Sequence, residues 1–263
     1  MNGALSYNSN SLQTFNRSTR VGINTNVIKH TDIPSSVAEL YIVANANDSD
    51  VPNEEYPSRT IVLGGTIHGS TQADLDDRID AFKAIFSQRY KNLDITYGSG
   101  TRRYVVMKAN AVGVERQDKA LFATFSIELL CKPFGIDTTA TNILSETAYT
   151  SATKTITPTI GGSAPYQLPV FTFTLTTITG AGDYIQLTNN LNGQEMLIYG
   201  LGLAHGDVLV IDCVEHEVTL NGDLVDFNGA FLELELGAND ITITDGFTTR
   251  SINMNGEYNK RWL

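Results

Sequence analysis

Residues 64–86, GGTIHGSTQADLDDRIDAFKAIF, with 94–109, DITYGSGTRRYVVMKA, and 125–134, FSIELLCKPF, decide how the first half of this chain folds. In the first block the apolar period changes from two to about 3.6, the change that marks a strand running into a helix. Thr71 stands where an N-cap belongs, with Asp74 three residues on. Leu75, Ile79, Phe82 and Phe86 then share one helical stripe. Asp74, Asp76, Asp77 and Asp80 crowd the first turns, where the helix dipole favours negative charge, and they lie off the stripe. That placement explains them without metal or acid–base chemistry.

Downstream, Leu93, Ile95 and Tyr97 alternate up to Gly98-Ser99-Gly100, and residues 102–112 return as a long strand, so a hairpin is expected. Residues 121–131 follow a strict period of two, with Ala123, Phe125, Ile127, Leu129 and Cys131 turned to a core. Upstream, strands are expected at 39–44 and 59–68, a long-armed hairpin separated by the acidic insert NANDSDVPNEEYPS at 45–58. This arm is expected to contact a neighbouring protein, with Asn47, Asp50, Glu54 and Glu55 as interface candidates. It is not a calcium loop, because it lacks the sharp-turn Gly and ends on Tyr56 where a bidentate Glu is required.

From residue 137 to 164 Thr, Ser and Ala dominate and Gly161-Gly162 precede Pro165 and Pro169, the composition of a linker or of a domain-entry segment. Short strands are then expected at 170–178, 183–188, 195–199, 207–213, 217–220, 231–236, 240–244 and 251–258, with Asn221-Gly222 as a hairpin turn. Such spacing describes a β-sandwich. The fold class is therefore mainly β: an α+β N-terminal domain over 1–136, a linker or entry segment over 137–164, and a β-sandwich over 165–263.

The net charge of −11 is unevenly divided. Through Ser145 fourteen Lys and Arg nearly balance fifteen Asp and Glu, whereas from Glu146 onward four face fourteen. A second half this acidic repels phosphate backbones, which argues against sequence-specific DNA binding. Against that background Arg89, Lys91, Arg102, Arg103 and Lys108 form the most basic neighbourhood, which reads either as a solvated hairpin tip or as a surface that faces a partner or a DNA channel.

Cys131 and Cys213 continue alternating apolar faces and read as buried free thiols. The four histidines stand in unrelated contexts, and no Gly-x-Ser-x-Gly, His-Glu-x-x-His or Walker loop is present, so no catalytic set, metal site or cofactor is expected. In GLGLAHG (200–206) His205 occupies the place of a third Gly and strands follow, so this is a turn. His216, read as part of a strand, points away from Glu215 and Glu217, which makes a shared metal geometrically awkward. The opening MNGALSYNSNSLQTFN lacks an apolar core and no apolar run approaches about 18 residues, so neither leader nor membrane association is expected.

The three blocks quoted first, with HGDVLVIDCVEHEVTLNG (205–222), FLELELGANDITIT (231–244) and the closing Arg261-Trp262-Leu263, resemble the distal tail proteins of siphophages. The resemblance implies an N-terminal β-sandwich with one helix and an extended hairpin, followed by a galectin-like β-sandwich. It also implies a non-enzymatic structural protein of the virion tail tip, assembled in the host cytoplasm. In such a protein a homo-hexameric ring joins the tail tube protein to the tail-associated tip apparatus and lets DNA pass. The alternative is a carbohydrate- or receptor-binding module of a tail. Sugar-binding galectins use His, Asn, Arg and Trp together, and here the second half has no Trp before Trp262 and no Arg before Arg250, which disfavours glycan recognition.

Overall fold

The computed structural model describes residues 4–30, 37–38, 54–116, 120–180 and 182–263. The chain divides into two compact units, one running to Thr138 and one spanning Thr139–Trp262.

The first unit contains strands β1 (Leu5–Tyr7), β2 (Asn10–Ser11), β3 (Gly22–His30), β4 (Val37–Ala38), β5 (Glu54–Glu55) and β6 (Arg59–His68). Helix α1 (Gln72–Ile85) precedes β7 (Lys91–Tyr97), β8 (Gly100–Arg116), β9 (Phe122–Cys131) and β10 (Gly135–Asp137). The sheet order is β2-β1-β7-β8-β9-β6-β3, with β10 also pairing β8. Strand β8 makes this path into two layers. Its first residues pair with β7, from Gly100 opposite Tyr97 to Val106 opposite Lys91. From Val106 onward it pairs with β9, with register shifts between Val106 and Lys108 and between Ala109 and Ala111. Bulges of this kind bend a strand and let it pass from one layer to the next. Leu5, Tyr7, Leu93, Ile95 and Tyr104 from one layer share a single buried cluster with Ile61, Leu63, Ile127 and Leu129 from the other.

Helix α1 forms as its sequence requires. The Thr71 hydroxyl accepts from the Asp74 N–H at 3.1 Å, and Leu75, Ile79 and Phe82 are buried. The Asp74 carboxylate is held down to about 2, chiefly by accepting from the Ser70 N–H and then from Arg78. Phe82 lies 4.5 Å from the Phe125 ring, which ties the helix stripe to β9.

The expected partner of 59–68 needs correction. Strand 39–44 lies outside the described residues, whereas β6 pairs along its length with β3 on one side and β9 on the other. The sequence GINTNVIKH hides β3, because its Asn residues disfavour strands and it has no apolar run. Gly65 explains part of the fit: a Cβ there would collide with the Asn24 carbonyl oxygen of β3.

The second unit contains β11 (Thr141–Tyr149), β12 (Thr153–Ile156), β13 (Thr159–Ile160), β14 (Tyr166–Gln167), β15 (Pro169–Thr179), β16 (Gly182–Asn189), β17 (Gln194–Tyr199) and β18 (Val208–Asp212). It continues with β19 (Glu217–Leu220), β20 (Asp223–Leu224), β21 (Asn228–Gly229), β22 (Leu234–Glu235), β23 (Gly237–Ala238), β24 (Ile241–Gly246) and β25 (Thr249–Tyr258). A sheet ordered β11-β25-β15-β18-β19-β20 and another ordered β12-β24-β16-β17-β21 share one buried cluster. Phe171, Phe173, Leu209 and Ile252 enter it from the first, and Ile185, Leu187, Met196 and Ile243 from the second. This is a β-sandwich.

Of the two readings of 137–164, the linker does not hold: the second unit begins at Thr139. Residues 141–149 are strand β11, paired with β25 across two register shifts, and 153–156 pair with β24. These strands lie at sheet edges, and within β11 only Leu144 is fully buried, so their composition remains polar. The expected strand at 231–236 is reduced to the two residues of β22, although Leu232 and Leu234 both plug the core. His216 lies in the turn before β19 with φ 57°, not in a strand, and its ring meets Phe231 edge-on at 5.2 Å. The Asn221-Gly222 turn forms as expected, with both residues at positive φ.

Candidate assembly interface

The β7–β8 hairpin carries four of the five basic candidates, and its register divides them between its two ends. Arg102 and Arg103 lie near the tip, opposite Ile95 and Asp94, whereas Lys91 lies at the base opposite Val106. Lys108 follows the bulge at the same base, and Arg89 lies just before β7. A span of about four residues at ~3.3 Å each separates the two groups. The basic neighbourhood is therefore two neighbourhoods.

At the tip the positive charge is already engaged. The Arg103 guanidinium donates Nε to Asp94 Oδ1 at 2.8 Å and Nη2 to Oδ2 at 3.0 Å, a bidentate cross-strand pair. The hydrogen bond to Asp94 raises the Arg103 pKa. Arg102 lies on the other face of the strand, its guanidinium 4.7 Å from the centre of the Tyr97 ring. Burial, and then the hydrogen bond with Tyr104, push the Tyr97 hydroxyl upward.

At the base the charge is not engaged in this way. Arg89 and Lys108 are exposed and Lys91 half-buried, and among the described residues none of the three makes an ion pair. Tyr90 stands between two of them, exposed and at φ 54°, a conformation uncommon for a bulky side chain. No pattern in the sequence marks that φ. Asp94 as a counter-charge was readable, since hairpin register sets it directly across from Arg103.

Of the arm candidates, Asn47 and Asp50 lie outside the described residues. Glu54 and Glu55 form β5, paired with Val37 and Ala38. Among the described residues no group of His, Cys, Asp and Glu could hold a metal ion, and no helix is long and apolar enough to cross a membrane. Cys131 and Cys213 are buried free thiols, each pushed up to about 12 by burial.

Residues 38–131 match the family model of the phage tail protein RIFT-related domain, and residues 162–262 match that of the siphovirus-type tail component, C-terminal domain. No curated protein matches the chain by sequence. Among solved structures, SPP1 Dit, described as a paradigm of the hub adsorption apparatus in phages infecting Gram-positive bacteria, matches with a TM-score of 0.68 and 13% identity. That match covers 99% of each chain. A chain of the phage p2 baseplate in its activated conformation with Sr matches at 9% identity over 90% of each chain, with a TM-score of 0.44. With one tail-protein domain in each unit and the Dit fold along its length, the chain belongs to the siphophage distal tail proteins, structural components of the phage tail.

Proposed function

We propose that this chain forms a hexameric ring at the tail tip, where it joins the tail tube to the tip apparatus and leaves an axial passage for DNA. The role is structural and non-enzymatic, and assembly takes place in the host cytoplasm. The observation that carries the reading is the order of the two family domains along the chain, together with a full-length fold likeness to a protein described as part of a hub. The charge distribution supports it: a near-neutral first half can pack against copies of itself, whereas the acidic second half repels its like and suits the periphery. Mass measurement of the purified full chain tests the proposal. A discrete species of six copies, each of 28.7 kDa, is expected, or a pair of such rings. A monomer that persists at high concentration refutes it.

A further inference from the structure

The second unit carries the dipeptide Asn-Gly at Asn192-Gly193, Asn221-Gly222, Asn228-Gly229 and Asn255-Gly256. Asn-Gly is prone to deamidation, because a Gly amide nitrogen, with no Cβ beside it, can reach the Asn side-chain carbon. The reaction needs both groups free. A carboxamide held by hydrogen bonds cannot swing back onto the chain, and an N–H engaged in a turn or ladder is not available as a nucleophile.

Three of the four dipeptides are clamped. Asn192 Oδ1 accepts from the Gln194 N–H at 3.1 Å, its Nδ2 donates to Gln194 Oε1 and to the Glu233 carbonyl at 3.2 Å each, and the Gly193 N–H donates to the Asn189 carbonyl at 2.8 Å. Asn221 Oδ1 accepts from the Val208 N–H at 2.9 Å and its Nδ2 donates to Asp207 Oδ1 at 2.8 Å. Asn255 lies in β25, paired on both sides by β11 and β15, and its Oδ1 accepts from Asn142 Nδ2 at 2.9 Å. Asn228 differs. It is exposed, and its carboxamide makes no hydrogen bond among the described residues. Strand β21 ends its sheet, with Leu197 opposite Asn228 and Met196 opposite Gly229. The Ala230 N–H donates to the Glu195 carbonyl at 2.9 Å, so the pair next to Gly229 is hydrogen-bonded, and the alternation of an antiparallel ladder turns the Gly229 N–H to the free edge. The fold also requires Gly here: φ is 107°, and a Cβ would collide with the Glu195 carbonyl oxygen.

We infer that Asn228 is a site of spontaneous deamidation, and that the fold shields the other three. The Gly229 nitrogen gives its proton to water and bonds to Asn228 Cγ; the Cγ–Nδ2 bond breaks, and the amide leaves as ammonia with a proton from solvent. Water then opens the cyclic imide at one carbonyl or the other, giving Asp or isoaspartate. Water is the one reactant consumed. Either product adds a negative charge to the half of the chain that is already acidic. Isoaspartate also lengthens the backbone by one carbon, so β21 loses its register with β17. None of this depends on the ring reading above.

The test is mass spectrometry of the full native chain after prolonged incubation at physiological temperature and mildly alkaline pH. Lys and Arg are absent between Lys154 and Arg250, so one tryptic peptide carries Asn192, Asn221 and Asn228 together, and fragment ions tell them apart. Asn228 is expected to convert about tenfold or more ahead of the other three, since each of those must first break hydrogen bonds. In a chain unfolded by urea the four are expected to react at similar rates. Labelling by an isoaspartate-specific methyltransferase should mark the same position, and Asn228→Gln should abolish both signals. Asn192, Asn221 or Asn255 converting first in the native chain, or Asn228 surviving as long as they do, overturns the inference. The same order of reaction in urea overturns its structural cause.

Discussion

Arg103→Glu places a carboxylate directly across the β7–β8 hairpin from Asp94. The native pair is bidentate but half in water, with side chains 44% and 24% exposed, so its worth is that of a cross-strand surface pair, roughly 0.2–1 kcal/mol. Reversal removes that attraction and substitutes a repulsion of similar size, for a total of about 0.5–2 kcal/mol. At about 4 °C per kcal/mol for a unit of this size, the first unit should melt roughly 2–8 °C lower. Calorimetry of the full chain measures the shift. The swap Asp94→Arg with Arg103→Asp should recover most of it, and high salt should shrink it. Arg89→Glu is the control: with no ion pair to lose among the described residues, it should move the melt by no more than about 0.5 kcal/mol. An Arg103→Glu chain that melts like the wild type, or a swap that recovers nothing, would refute the claim that the tip charge is spent within the hairpin.

In the second unit Arg250 and Asp245 form a pair at 2.7 Å with side chains 11% and 5% exposed, so Arg250→Ala, which strands a buried carboxylate, should cost about 3–5 kcal/mol in chemical denaturation. Burial raises the Asp245 pKa despite Arg250, so its folded form holds a proton more tightly than its unfolded form. Its contribution is therefore full below the unfolded value and is lost as pH rises through the raised one; Asp245→Asn should make the fall of melting temperature with pH above ~4 shallower than in wild type. An unchanged slope would count against that sign. Cys131 and Cys213, buried and raised to about 12, should resist a thiol reagent in the native chain and react together once it is unfolded. Rapid native labelling would contradict the packing of both cores.

Periodicity determined much of this molecule without help. The stripe Leu75, Ile79, Phe82, Phe86 and the cap at Thr71 specify α1, because helix formation depends on neighbours three and four residues apart. The β7–β8 hairpin and the Asn221-Gly222 turn are local in the same sense, and β15 to β19 and β24 to β25 announce themselves by alternation against a core. The tail-protein resemblance was legible for the same reason, being carried by the order of these elements. Tertiary structure decided what local pattern cannot encode. Strand β3 exists because β6 offers it an edge and Gly65 lets the backbones close, although GINTNVIKH is a weak strand sequence by itself. Strand β11 became the edge of a sheet only when β25, more than a hundred residues away, supplied its partner. The basic candidates, close in sequence, were separated by register: Asp94 neutralises Arg103 at the tip, while Arg89, Lys91 and Lys108 lie at the base of the hairpin. A sequence states which residues are charged. Only the pairing of strands distant along the chain decides which charges are consumed within the fold and which are left for a partner.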